Sequence, residues 1–178
     1  MIAFIRPCSP VTARKVPAGD DWVHEIKLDG YRFQIIKAGR QVQLYGGSGS
    51  EWTRRLPGLA DALLRLACRS AILDGELVLP YADGAPNFYA LHLAVRSASE
   101  VELVYFAFDL LYRDGQDLRR LPLTERKRRL ARLIARSDIA CLHLVEAFDN
   151  GVQLLETARA HAARGDRLEA PELSLSLG

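Results

Sequence analysis

The chain has 178 residues, 49% of them hydrophobic and 26% charged, with 24 Lys and Arg against 22 Asp and Glu. That balance suits one globular domain with a sizeable core, and a formal charge of +2 is too small by itself to define a polyanionic partner. No run approaches the roughly 18 apolar residues of a membrane helix and MIAFIRPCSP is too short for a secretory signal, so no membrane association is expected and the expected location is cytoplasmic. Cys8, Cys68 and Cys141 are scattered, odd in number and without CxxC pairing, which argues against a structural metal or a disulfide framework.

The first patterned segment, residues 21–36, alternates. Trp22, His24, Ile26 and Leu28 fall on one face of an extended chain, and Val23, Glu25, Lys27 and Asp29 on the other. Gly30 interrupts; Tyr31, Phe33 and Ile35 resume the period, and Ala38-Gly39 supplies a turn into a β-type run over 41–45, which predicts an antiparallel hairpin. Leu56, Leu59, Ala60, Leu63, Leu64 and Ala67 recur at helical spacing, predicting a helix over 57–68. Residues 71–79 and 103–111 are apolar runs of strand length, followed by turns at Asp83-Gly84 and Asp114-Gly115, with a short helix expected at 88–95. Thr124 reads as the N-cap of a helix through Arg136 whose apolar side carries Leu130, Leu133 and Ile134. A last helical pattern spans 150–164. Residues 165–178 show no clear period, and Pro171 limits any helix there, so a frayed tail is expected. The sum is an α+β domain with mixed or antiparallel sheets and flanking helices.

Three segments carry chemistry. In Lys27-Leu28-Asp29-Gly30-Tyr31-Arg32, a lysine ends a strand just before a glycine and can present its amine in a cleft. Leu73-Asp74-Gly75-Glu76-Leu77-Val78 sets carboxylates inside an apolar strand, and Tyr105-Phe106-Ala107-Phe108-Asp109 sets another at the end of an aromatic run. Buried carboxylates need cations, a metal or hydroxyls as partners, and neighbouring aromatics can stack on a base. Each segment alone is weak: a lysine on an alternating strand is usually solvated, and Asp-Gly is usually a turn. His24 and His143 read as structural, and His161 as exposed.

Together and in this order, the three segments resemble the adenylation domain of ATP-dependent DNA ligases, nearest to the bacterial end-joining type. DDWVHEIKLDGYRFQ, SEWTRRLP, ILDGELV, YADGAPNF and FAFDLLYRDGQDLRRLPLTERKRRL carry the likeness, which covers roughly residues 4–160. It implies an ATP-grasp-like nucleotidyltransferase fold. It implies Lys27 as the nucleophile that takes AMP from ATP, Arg32 as a binder of a phosphate or ribose oxygen, and Glu76 as a ribose contact or ligand of Mg²⁺, the expected metal, with nothing in the sequence selecting against Mn²⁺. Tyr105 takes the position that stacks on adenine in that family, with Phe106 a competitor in another register. Glu25 and Ile26 stand where the family's backbone reads the adenine amino group. The implied partners are nicked or broken double-stranded DNA and end-joining or repair proteins.

The likeness has gaps. The family's later Glu-Gly-aliphatic-Val-x-Lys motif and paired lysines have no counterpart; Arg167-Leu168-Glu169-Ala170-Pro171 is the nearest sequence, and Glu169 is given no role. Gly47 stands where relatives carry an arginine. The expectation is therefore an incomplete adenylation domain over 1–164, a divergent tail over 165–178 and no OB-fold domain, with a ligase remnant that binds ATP or DNA without completing ligation as the alternative. A basic cluster of Arg119, Arg120, Arg126, Lys127, Arg128, Arg129, Arg132 and Arg136, opposed mainly by Glu125, fits a phosphate-binding surface or a solvated helix equally well.

Overall fold

The computed structural model describes residues 2–9, 11, 15–17, 19, 21–81, 87–97, 102–163 and 173–177. The hairpin is present: β2 (Tyr31–Ala38) and β3 (Gln41–Gly46) pair antiparallel, with Ala38 opposite Gln41 and Gly39 at φ +60° in the turn, a conformation glycine adopts without steric cost. β4 (Ser70–Val78) pairs with the other edge of β2 and with β5 (Val104–Arg113), and short β6 (Gln116–Asp117) and β7 (Leu142–Leu144) flank β5, making a six-stranded sheet. β7 runs parallel to β5, and the other pairings in this sheet are antiparallel. The architecture is the expected mixed α+β.

Strand alternation gives this sheet two different faces. Phe33 and Ile35 of β2, Leu73 and Leu77 of β4, and Tyr105 and Ala107 of β5 enter one buried apolar cluster. Three helices contribute to that cluster: α1 (Pro57–Leu63) through Leu59 and Leu63, α2 (Phe88–Ser97) through Leu91 and Val95, and α3 (Leu123–Ser137) through Leu130 and Leu133. The other face carries Arg32, Asp74, Glu76 and Phe106.

Helix α1 stops at Leu63, five residues short of the expected end. Lys37, a buried lysine of β2, donates to the carbonyls of Leu64 (2.5 Å) and Leu66 (2.8 Å), taking acceptors that further helical turns would have used. Thr124 is not the cap of α3. The helix begins at Leu123 with Pro122 at the N-cap, and the Pro122 carbonyl accepts from the N–H groups of Glu125 and Arg126. The expected helix at 88–95 is α2; the Asp83-Gly84 turn lies outside the described residues.

A second, three-stranded sheet has β1 (Trp22–Ile26) at its centre, between β8 (Ala147–Phe148) and β9 (Leu173–Leu177), both antiparallel to it. β9 corrects the expectation of a frayed tail. Leu173-Ser174-Leu175-Ser176-Leu177 has the period of two that marks a strand, and it pairs with β1 along all five residues, covering an edge that would otherwise offer unpaired backbone groups. The last helix is α4 (Gly151–Ala163), and Arg164 lies outside the described residues. No helix among the described residues is long and apolar enough to cross a membrane.

Candidate active site

Lys27 lies one residue past β1, in the four-residue passage 27–30 that carries the chain from the small sheet to the large one. The expected strand through residue 29 thus ends at Ile26, and Lys27 and Asp29 belong to the crossover. Gly30 is what lets the crossover lie close to the large sheet. A Cβ at Gly30 would sit 2.3 Å from the Leu77 carbonyl oxygen and 3.0 Å from Cγ of Glu76, the first of which no side chain could tolerate without moving backbone. Here glycine is required by close approach.

Arg32 and Glu76 are opposite each other in the β2–β4 ladder, and Glu76 is in turn opposite Phe106 of β5. The Arg32 guanidinium grips Asp74 with both arms of its fork, Nε to Oδ1 at 3.1 Å and Nη2 to Oδ2 at 2.8 Å, and its Nη1 donates to the Cys8 carbonyl at 2.8 Å. Its planar group also lies 5.3 Å from the centre of the Phe108 ring, a cation–π arrangement. Asp74 is thereby the buried partner that orients Arg32. Burial pushes the Asp74 carboxyl up, and Arg32 pulls it back.

Glu76 has no such clamp. Burial pushes its carboxyl up to about 7, against the attraction of Arg32 and Lys27. Lys27 is therefore near enough for its charge to act on the Glu76 carboxyl. A carboxylate poised to gain or lose its proton near neutrality, beside a lysine and an arginine, is an arrangement found where charge must be handled.

The two aromatic candidates separate. Tyr105 is fully buried on the apolar side, its hydroxyl donating to the Phe33 carbonyl at 2.9 Å, and its ring is packed so close to Gly75 that a Cβ there would meet it at 2.6 Å. It presents no open ring face to a base. Phe106, one residue on and so on the other face, is only partly buried and lies 5.4 Å from the His143 ring. Strand parity puts Phe106 on the face of Arg32 and Glu76, with Phe108 beside Arg32.

Glu25 and Ile26 also differ in setting. Glu25 has strands on both sides, opposite Ala147 and Ser174, whereas Ile26 is opposite only Leu173 and is 41% exposed. Contrary to simple alternation, His24 and Glu25 are both buried. His24 packs against Gly151 of α4, where a Cβ would meet its ring at 2.3 Å, and its Nδ1 has no hydrogen-bond partner among the described residues. Glu25 is covered by α3: Lys127 donates to its carboxylate and to the Phe108 carbonyl, the latter at 2.8 Å. Burial pushes the Glu25 carboxyl up, and Lys127 offsets this. Next to it, Arg126 holds Asp109 with two hydrogen bonds of 2.8 and 3.0 Å. The basic stretch of α3 is thus divided, with Arg126 and Lys127 turned inward as structural partners of the motif strands. The sequence analysis missed this role; the spacing of two acidic motif residues against one Arg-Lys pair was its only trace.

The crossover lysine thus lies near a partly buried carboxylate and an arginine clamped by Asp74, a set of groups suited to nucleotidyl transfer. Residues 6–162 match the family model described as ATP dependent DNA ligase domain, and the chain belongs to that family. It is 40% identical over 122 residues, 68% of its length, to the multifunctional non-homologous end joining protein LigD of Pseudomonas aeruginosa, of which it spans 14%. The ligase domain of Mycobacterium tuberculosis LigD superposes with a TM-score of 0.67 at 27% identity, over 88% of this chain and 49% of that one. A mycobacterial DNA ligase D complexed with ATP and MES gives a TM-score of 0.62 at 28% identity, over 79% and 45%. The chain spans less than half the length of these relatives.

Proposed function

We propose that this chain adenylates itself on Lys27 as the first step of ATP-dependent DNA ligation, with residues 1–164 as the adenylating unit. The observation that carries this reading is the ladder register that sets Arg32 opposite Glu76, with the Lys27 charge acting on the Glu76 carboxyl and Gly30 closely approaching β4. The Lys27 amine attacks the α-phosphorus of ATP, the bond to the bridging oxygen breaks, and pyrophosphate leaves with the electron pair. The product is a lysyl-AMP phosphoramidate, which divides one difficult displacement into two. The AMP would then pass to a 5′-phosphate at a break in double-stranded DNA, and a 3′-hydroxyl would displace it.

Each remaining group has a task suited to it. Arg32, oriented by Asp74, offers Nη1 to a ribose or phosphate oxygen in exchange for the Cys8 carbonyl. Phe106 stacks on the adenine, and the backbone at Glu25 and Ile26 lies at the sheet end where a base edge could be read. Among the described residues no three His, Cys, Asp or Glu gather as a metal cage. Mg²⁺ is commonly held by one or two carboxylates together with substrate phosphates, and Glu76 fits as that carboxylate, for Mg²⁺ or Mn²⁺. The metal would neutralise charge on the triphosphate. The membership in a ligase family and the likeness to an end-joining protein support a cytoplasmic role at DNA breaks alongside repair proteins. Incubation with ATP and Mg²⁺ followed by intact-protein mass spectrometry tests the reading; absence of an AMP adduct on folded protein would leave only nucleotide or DNA binding.

A further inference from the structure

A second feature lies at the far end of the large sheet. Arg113 at the end of β5 and Arg128, Arg129, Arg132 and Arg136 of α3 line an open groove of about 450 Å³, together with Asp114, Gln116 and Glu125. The two carboxylates are already engaged. Glu125 accepts from Arg128 at 2.5 Å and Arg129 at 2.7 Å, and Asp114 accepts from the backbone N–H groups of Arg69 and Ser70 while lying 3.5 Å from Arg113. Arg132 and Arg136 are exposed and have no ion-pair partner among the described residues. Five arginines thus face two occupied carboxylates, which leaves the groove cationic.

The lining also narrows the kind of anion. Among the described residues the lining has no apolar side chain, whereas a membrane-surface helix needs apolar residues to insert beside its cations. It contains no aromatic ring, and single strands are gripped by stacking bases on such rings. Beside Gln116 and the two engaged carboxylates it offers guanidinium groups, the donors suited to phosphate oxygens. Arg128, Arg132 and Arg136 follow at intervals of four, so their Cα atoms are spaced about 6 Å apart along one side of the helix. Arg113 is seven residues beyond Phe106 on the same strand, roughly 23 Å from the candidate nucleotide cleft.

We propose that this arginine groove is a binding surface for the phosphate backbone of duplex DNA flanking the break. The proposal rests on the ligase reading for its partner. The surface adds affinity without sequence preference, and it acts at a distance from the chemistry, so its loss weakens DNA retention and leaves self-adenylation intact.

The test is fluorescence anisotropy of a labelled intact duplex across a series of KCl concentrations, with the full chain and with an Arg132→Gln/Arg136→Gln double variant. Glutamine keeps the helix propensity of arginine and removes the charge. The slope of log affinity against log salt should become shallower by about 2, since each phosphate contact contributes about 0.9, and the AMP adduct formed with ATP should be unchanged. A matched Arg40→Gln/Arg54→Gln variant, on a different surface, should leave the slope as it was. An unchanged slope in the first variant, an equal change in both, or no duplex binding by the unaltered chain would overturn the proposal. Loss of the AMP adduct from the unaltered chain, with the slope difference intact, would instead overturn the reading of Lys27 and leave the groove standing.

Discussion

Lys127 of α3 donates to the carboxylate of Glu25, two residues ahead of Lys27, and to the carbonyl of Phe108. One ammonium thereby ties a helix to the strand that leads into Lys27 and to the strand that flanks Arg32. Both side chains are nearly enclosed, at 11% and 6% exposure, so removing one partner strands a charge where water cannot reach it. Lys127→Met should lower unfolding free energy by about 3–5 kcal/mol, measured by urea denaturation. The Glu25→Gln/Lys127→Met double variant should recover part of that loss. Additive losses would mean that the two groups do not act as a pair.

Gly30 allows a different kind of prediction. The Cβ of Gly30→Ala would lie 2.3 Å from the Leu77 carbonyl oxygen, so the loop carrying Lys27 must lift away from β4. A displacement of about 1 Å at a reacting group costs on the order of 100-fold in rate, and the AMP-transfer rate should fall by that order while the thermal transition stays cooperative. A variant as fast as the parent would show that the loop needs no close approach.

Tyr105 and Phe106 give opposite expectations although they are adjacent. Tyr105→Phe deletes a buried hydrogen bond to the Phe33 carbonyl and should cost roughly 1 kcal/mol of stability, with KM for ATP unchanged. Phe106→Ala should raise KM for ATP and leave stability nearly intact. The reverse outcome in steady-state adenylation assays would put the adenine on the other side of the sheet.

Glu76 makes a pH dependence. Its carboxyl is pushed from 4.5 to about 7 by burial, so the folded state holds a proton that the unfolded chain has released over that interval. The resulting stabilisation is complete below pH 4.5 and is lost as pH rises through about 7, with an upper magnitude of about 3 kcal/mol. Glu76→Gln should flatten the stability profile between these values. If Glu76 holds the metal as proposed, its ionised form would be the competent one, and adenylation should rise across the same range in the parent and be low throughout in the variant.

Much of this was legible in the sequence because local patterns coincide with tertiary roles. The hairpin, the two long strands and α3 follow from periodicity, and the strands that carry Arg32, Glu76 and Phe106 are neighbours in the large sheet. The misreadings have physical causes. β1 is covered on both sides, by α4 against His24 and by α3 against Glu25, so its alternation does not separate buried from exposed residues. The end of α1 is set by Lys37, a residue from another strand, which local spacing cannot reveal. Thr124 has the chemistry of a cap, but Pro122 already ends the extended chain two residues earlier. The Leu-Ser alternation at 173–177 was readable as a strand, yet its partner, β1, lies nearly 150 positions upstream. Tyr105 fits the family's aromatic pattern, and only the register against Gly75 and Phe33 turns it into the core.

The central claim is that Lys27 forms a covalent bond to AMP. Intact-protein mass spectrometry after incubation with ATP and Mg²⁺, repeated with pyrophosphate and with Lys27→Ala and Lys27→Arg, addresses it directly. The account predicts one AMP added to the parent chain, its removal by pyrophosphate, and none on either variant, since alanine has no amine and a guanidinium stays protonated. An adduct that persists on Lys27→Ala, or a folded parent chain that never acquires one, would contradict it.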